Sequence, residues 1–297
     1  MSDYLISARK YRPKSFNEVV GQEVITSTLE NAVKNKQLSQ ALLFTGPRGV
    51  GKTSCARILA KMINADKITS ESDYSFNIFE LDAASNNGVD GIRNLTDQIR
   101  IPPQIGNFKV YIIDEVHMLS SSAFNAFLKT LEEPPRHCVF ILATTEKHKI
   151  IPTILSRCQI YDFKRISVDD ISSYLINISK HEKVKYEENA IQFIAKKADG
   201  SMRDALQIYD RILSSKNNEV SIANVMESLN ILDNQVYFDL LHLIINNEIP
   251  KLLVLTNSIL ARGIQGDILI SGLGSFFRDL LVSKDSKSIA LFDSDEE

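Results

Sequence analysis

Gly46-Pro47-Arg48-Gly49-Val50-Gly51-Lys52-Thr53 satisfies G-x-x-x-x-G-K-T at every position. Those residue types suit one task. Glycines let the backbone close round an anion with successive N–H groups pointing inward. A helix starting there adds the positive end of its dipole. The lysine reaches the outer phosphates of a nucleoside triphosphate, and the threonine hydroxyl takes up Mg²⁺. Such a loop needs a strand in front and a helix behind. Ala41-Leu42-Leu43-Phe44 reads as the strand and Ser54-Cys55-Ala56-Arg57-Ile58-Leu59-Ala60 as the helix. Gly46, Arg48, Gly49, Val50, Gly51, Lys52, Thr53 and Ser54 are therefore the expected phosphate contacts.

Further along, Val110-Tyr111-Ile112-Ile113 runs into Asp114-Glu115. Carboxylates at the end of a buried strand are costly unless something uses them. Beside a phosphate loop, Asp114 is expected to hold Mg²⁺, usually through water, and Glu115 to orient and polarise an attacking water. The competing reading is an N-cap for the helix that follows; the glycine loop weighs against it. A second apolar strand, Val139–Ala143, ends in Thr144-Thr145, where one hydroxyl is a candidate to touch the γ-phosphate or the lytic water. Arg157, in Ser156-Arg157-Cys158, reads either as a surface salt bridge or as an arginine finger lent to a neighbouring subunit's nucleotide. Arg203 opens a helix, where a cation opposes the dipole; a bound phosphate would offset that. Cys55, Cys138 and Cys158 form a sparse, odd set, which argues for a reducing compartment without disulfides. Cys158 reads as packing, not as a nucleophile.

The elements that would position these groups alternate. Strands are expected at 41–45, 76–82, 109–113, 138–144 and 158–163, and helices at about 23–36, 53–63, 88–99 and 121–132. Ser120 or Ser121 can cap the last of these, and Pro134-Pro135 stops it. Alternation of this kind implies a parallel sheet covered on both faces, with ligands at the carboxyl ends of its strands. After about 165 the strand signal disappears. Helices are expected at 168–180, 187–198 and 202–214, the last with a capping box of Ser201 and Asp204, and then at 221–230, 233–247, 249–262 and 265–283. The expected domains are 1–165 (α/β, a five-stranded parallel P-loop sheet), 166–225 (a three-helix lid) and 226–297 (the start of an all-helical domain). A polar tail, 293–297, is expected to be disordered.

Bulk properties exclude little else. The 297 residues are 44% hydrophobic with net charge −3, and no apolar run approaches a membrane span. Residues 1–165 carry 21 Lys+Arg against 17 Asp+Glu, and the remainder 13 against 20, so any nucleic-acid footprint belongs to the first part. No signal layout opens the chain, and a cytoplasmic location is expected.

Taken together, these residues resemble a family, the gamma/tau subunits of the bacterial DNA polymerase III clamp loader, which are AAA+ ATPases. The resemblance rests on Ala8-Arg9-Lys10-Tyr11-Arg12-Pro13, Val19-Val20-Gly21-Gln22, the glycine loop, Asp114–Leu119, Leu128–Pro135, Ser156-Arg157-Cys158 and Gly200–Leu206. It implies ATP and Mg²⁺ as cofactors. Ala8, Tyr11, Arg12, Pro13 and Val19 would border the adenine and ribose. Thr145 would be a first sensor, and Met202 and Arg203 would bring a second; Arg157 would reach the adjacent subunit's ATP. The implied partners are delta, delta-prime and further gamma/tau copies in a five-membered ring, a sliding clamp, and primer–template DNA through its backbone, with no membrane. The helices after about 225 would begin a collar. One departure stands out. Asn64 to Phe79 holds no cysteine or histidine, where the family usually carries a four-cysteine zinc module, so no zinc is expected. The chain also reads as a shortened form without a polymerase-binding tail, and no polymerase site is expected in it. Two alternatives remain in view: another AAA+ DNA motor, such as a Holliday-junction branch-migration ATPase, and a structural ring subunit that never hydrolyses ATP.

Overall fold

The computed structural model describes residues 6–68, 73–215, 219–229, 232, 234–261 and 263–284. The chain divides into two compact units, Met1–Asp210 and Arg211–Glu297.

In the first unit, strands β1 (Ala41–Thr45), β2 (Ile78–Asp82), β3 (Lys109–Asp114), β4 (Cys138–Thr144) and β5 (Gln159–Asp162) form one sheet in the order β2-β3-β4-β1-β5. All its pairings are parallel. Side chains alternate across a strand, and here both faces are dry. Leu43, Tyr111, Ile113, Phe140 and Leu142 face α4 (Val89–Ile99) and α5 (Ser121–Glu132). Leu42, Phe44, Val110, Ile112, Ile141 and Ala143 face α2 (Glu23–Lys34) and α3 (Lys52–Asn64). Near-continuous apolar strands are what such two-sided burial requires. On the first face, Phe79, Tyr111, Phe140 and Phe127 form a row with ring centroids 5.0–5.7 Å apart.

Several boundaries move. Phe76 sits in a 3₁₀ turn, Asp73–Phe76, and is 61% exposed, so β2 starts later than apolarity suggested. Ser7–Lys10 forms a four-residue helix, α1, and Pro152–Leu155 another, α6. Ser120 is the cap of α5, its hydroxyl accepting from Ala123 N at 3.2 Å. Helices α7 (Val168–Glu182), α8 (Glu188–Lys197) and α9 (Met202–Ser215) follow. At α9 only half of the expected capping box forms: Ser201 Oγ accepts from Asp204 N, while Ser201 N donates to the Ala198 carbonyl. The part read as wholly helical also contains β6 (Lys185–Tyr186) and β7 (Glu219–Val220). Two residues are too few for a periodicity to show.

Arg211–Glu297 holds α10 (Ile222–Ser228), α11 (Asn234–Ile245), α12 (Ile249–Ala261) and α13 (Gly266–Ser283). Its core is small: Leu232, Tyr237, Leu240, Ile259, Ile264, Leu269 and Phe276. Ile245, Leu253, Val254, Ile270 and Leu281 are each more than 60% exposed. The tail 293–297 lies outside the described residues.

One polar staple fixes the approach to β3. Asn64, wholly buried at the end of α3, accepts from Asn107 N (3.0 Å) and Phe108 N (2.9 Å) and donates to the Phe108 carbonyl (3.0 Å). Asn64→Ala removes three bonds and takes the partner from the N–H groups of half-buried Asn107 and Phe108, so we expect a loss of about 1–3 kcal/mol in urea unfolding. An undiminished midpoint would show that water reaches the loop.

Candidate functional site

The carboxyl ends of β1 and β3 place the glycine loop beside the two acids. Gly46, Gly49 and Gly51 all adopt positive φ (139°, 76° and 105°). A Cβ at Gly46 would strike the Phe163 carbonyl, and one at Gly49 the Ser201 hydroxyl. Backbone conformation and close approach thus both demand glycine there.

Lys52 is only 6% exposed, and its ammonium donates to the carbonyls of Gly46 (2.7 Å) and Pro47 (2.6 Å). Burial pushes its pKa down, opposed by the nearby charges of Glu115 and Asp114. A buried ammonium held by carbonyls alone is a site built for an anion. Thr53 Oγ1 donates to Asp114 Oδ2 at 2.8 Å, which puts two hard oxygen donors where a Mg²⁺ ion fits. Asp114 Oδ1 accepts from Glu115 N; Glu115 is the N-cap residue of the 3₁₀ turn Val116–Met118, but its side chain makes no capping bond there. Glu115 itself lies in the left-handed region (φ 47°, ψ 46°). Its Oε2 accepts from Thr145 N (3.2 Å) and from the Thr145 hydroxyl (2.9 Å).

These groups line a cleft of about 450 Å³. Ala8, Tyr11, Arg12, Pro13, Val19, Arg48, Gly49, Val50, Gly51, Lys52, Thr53, Ser54, Asp114, Glu115, Met202 and Arg203 all border it. Gly46 and Thr145 border a second, more open depression with Pro47, Lys147 and His148. Arg157 borders neither. Its guanidinium bonds Glu132 Oε1 at 2.6 Å and the Thr153 carbonyl at 2.7 Å. Among the described residues no carboxylate pairs with Arg203. The Arg12 pKa is pushed down, first by burial and then by Arg57 and Arg203, with Glu80 and Asp114 opposing. Cations gathered this way await negative charge.

The sequence reading missed the far wall. Ile166, Tyr174 and Gln207 line the cleft from the α7–α9 side together with Leu206 of the Gly200–Leu206 stretch, and nothing local to the first three signals it. The wall is bolted on by the N-terminal segment: Lys10 Nζ and Tyr11 Oη both donate to Glu182, Tyr174 Oη donates to the Tyr11 carbonyl at 3.1 Å, and Ser7 N donates to Asp210 Oδ2 at 2.7 Å. Burial and the Glu182 bond raise the Tyr11 pKa to about 12, so its hydroxyl stays a donor. Among the described residues no cluster of three or more His, Cys, Asp or Glu side chains is placed to hold a metal ion. Residues 69–72, inside the stretch read as lacking a zinc module, lie outside the described residues.

A parallel sheet in this order, a glycine loop on its first strand, paired acids on a neighbouring strand and a helical cover define a P-loop nucleotide-binding protein of the AAA+ class. Residues 21–167 match the family described as DNA polymerase III, delta subunit, and residues 170–215 that of the DNA polymerase III clamp loader subunit, ATPase lid domain. The chain is 43% identical to the DNA polymerase III subunit tau of Bacillus subtilis, over 93% of this chain and 51% of that protein. It is 40% identical to the Escherichia coli subunit tau (94% and 46%) and 37% identical to the Buchnera aphidicola subunit gamma (95% and 81%). The chain belongs to the gamma/tau family of DNA polymerase III clamp-loader subunits. It spans about half the length of the tau relatives it matches. Among solved structures, the Holliday junction branch migration motor RuvB of Thermotoga maritima shares the fold, with a TM-score of 0.58 and 22% identity over 87% of each chain.

Proposed function

We propose that this chain is the ATP-hydrolysing motor subunit of a replicative clamp loader. The observation that carries this is the buried Lys52 ammonium, set with Thr53, Asp114 and Glu115 around a cleft of nucleotide size. Thr53 and Asp114 would hold Mg²⁺, which would supply neutralising charge to the phosphates. The loop's N–H groups and Lys52 hold the β- and γ-phosphates, Arg203 closes on them from α9, and Tyr11, Arg12 and Val19 bound the base and ribose. Glu115 orients the attacking water, and Thr145 holds Glu115. Arg157 serves the nucleotide of the next subunit in a five-membered ring with delta, delta-prime and further gamma/tau copies.

In this reading, 1–165 is the motor, 166–225 its lid and 226–297 part of a collar. The apolar surface left on α11–α13 suits contact with other subunits. ATP binding closes the ring on an open sliding clamp and on primer–template DNA, gripped by its phosphates without regard to sequence. Hydrolysis releases both. The work is done in the cytoplasm without zinc, and the chain itself has no polymerase chemistry. A purely structural ring subunit would have no need of Lys52, Thr53, Asp114 and Glu115 together. After Val220 the described elements are all helices, which disfavours a branch-migration motor with a winged-helix reader.

The test is ATP turnover by the reconstituted ring. We expect primer–template DNA and clamp to stimulate it together, and the stimulation to fade with added salt. Turnover indifferent to both ligands would refute the clamp-loading role.

A further inference from the structure

His117 follows the paired acids in the turn Val116–Met118, and its side chain is only 6% exposed. Three groups surround its ring. Nδ1 lies 3.0 Å from Thr144 Oγ1 and 3.3 Å from Glu115 Oε2, and Nε2 lies 3.2 Å from Glu146 Oε1. Glu146 stands at the surface, paired with Lys149 at 2.9 Å and near His148 at 3.5 Å. Thr144, wholly buried, also accepts from Glu146 N at 3.0 Å.

A buried imidazole must satisfy both nitrogens. A carboxylate only accepts, and one faces each nitrogen, so the ring bonds Glu146 and Glu115 together when each nitrogen carries a hydrogen. Those contacts fix the ring plane, with Nδ1 between the Thr144 hydroxyl and Glu115. In that arrangement Glu115 is held on one oxygen by two neighbours, Thr145 and His117. Such outer contacts decide where an acting side chain rests. A histidine kept only to fill space would have no need of carboxylates at both ends.

We infer that His117 is a positioning residue for Glu115, setting the resting place of its carboxylate, with Glu146 setting the imidazole in turn. The inference rests on Glu115 being the residue that orients the attacking water.

Two isosteres separate the two ends of the ring. His117→Asn puts an amide near the Nδ1 position and keeps the link toward Glu115; His117→Gln reaches the Nε2 position and keeps only Glu146. Single-turnover hydrolysis is measured in the assembled ring and ATP affinity on the isolated chain, with Glu115→Gln and Glu146→Gln alongside. We expect His117→Gln to slow hydrolysis about tenfold, and His117→Asn and Glu146→Gln about threefold or less, all with affinity within about twofold of the parent. Equal rates for the two isosteres, or affinity falling in step with rate, would leave His117 a packing residue and overturn the inference. Glu115→Gln is expected to lose about 10²–10⁴ in rate. Parental hydrolysis by Glu115→Gln would sink the reading of Glu115 itself; an inactive Glu115→Gln beside a fully active His117→Gln would sink only the role given to His117.

Discussion

Arg157→Ala is expected to lower ATP turnover in the assembled ring by about 10³–10⁵, the range that an arginine finger supplies to phosphoryl transfer. Nucleotide affinity of the same chain should not change, because Arg157 lies outside the cleft that holds Lys52 and Arg203. The isolated chain should hardly register the substitution. Its guanidinium is about one-third exposed, and the pair with Glu132 is a surface pair. Such pairs contribute about 1 kcal/mol or less. The contrast between a silent monomer and a crippled ring is the diagnostic. Arg157→Lys should not restore the rate, since a point charge cannot reproduce a planar, forked donor. The measurement is steady-state hydrolysis at saturating ATP, clamp and DNA, set beside an affinity titration of the monomer. Normal turnover by Arg157→Ala rings would remove the role in trans, and the surface-pair reading of Arg157 would stand.

Why that role needs an assembly to test, while the glycine loop does not, follows from how each is encoded. Gly46–Thr53 is contiguous and its conformation is dictated by residue type, so strand, loop and helix were legible in the sequence: β1 falls at Ala41–Thr45 and α3 at Lys52–Asn64, within a residue of what patterning required. What depends on long-range packing was not legible. Ile166, in the loop before α7, and Tyr174, Leu206 and Gln207, on helices whose own pattern records only which face is buried, enter the cleft from more than a hundred residues beyond the glycine loop. Phe76 misled because apolarity marks burial only on average. His117 was visible as part of a motif, yet its partners Thr144 and Glu146 come from the next strand and the turn after it. Thr145 at a strand end suggested a contact with phosphate or water; its bond to Glu115 joins two elements and was not legible at the strand end alone.

Lys52→Ala should abolish ATP binding in any practical assay while leaving the fold at least as stable as before. The two halves of that expectation share one cause. The ammonium is buried against carbonyls, and burial drives its pKa down, so the folded chain keeps a cation where solvation disfavours it. Removing it forfeits two charge-assisted contacts to phosphate, each about 1.5–3 kcal/mol, or roughly 10²–10⁴ in affinity together. It also relieves the desolvation, so the urea midpoint should hold or rise; Lys52→Met, which preserves volume, guards against a cavity effect. Function and stability then move in opposite directions at a single residue, as expected of a group kept for its ligand. A fluorescent ATP analogue titrated against each variant gives the first half, and urea unfolding without nucleotide the second. Retained binding by Lys52→Ala would mean that the loop's amides and the arginines suffice. Lost binding with a collapsed midpoint would mean that Lys52 holds the loop together, not the phosphate.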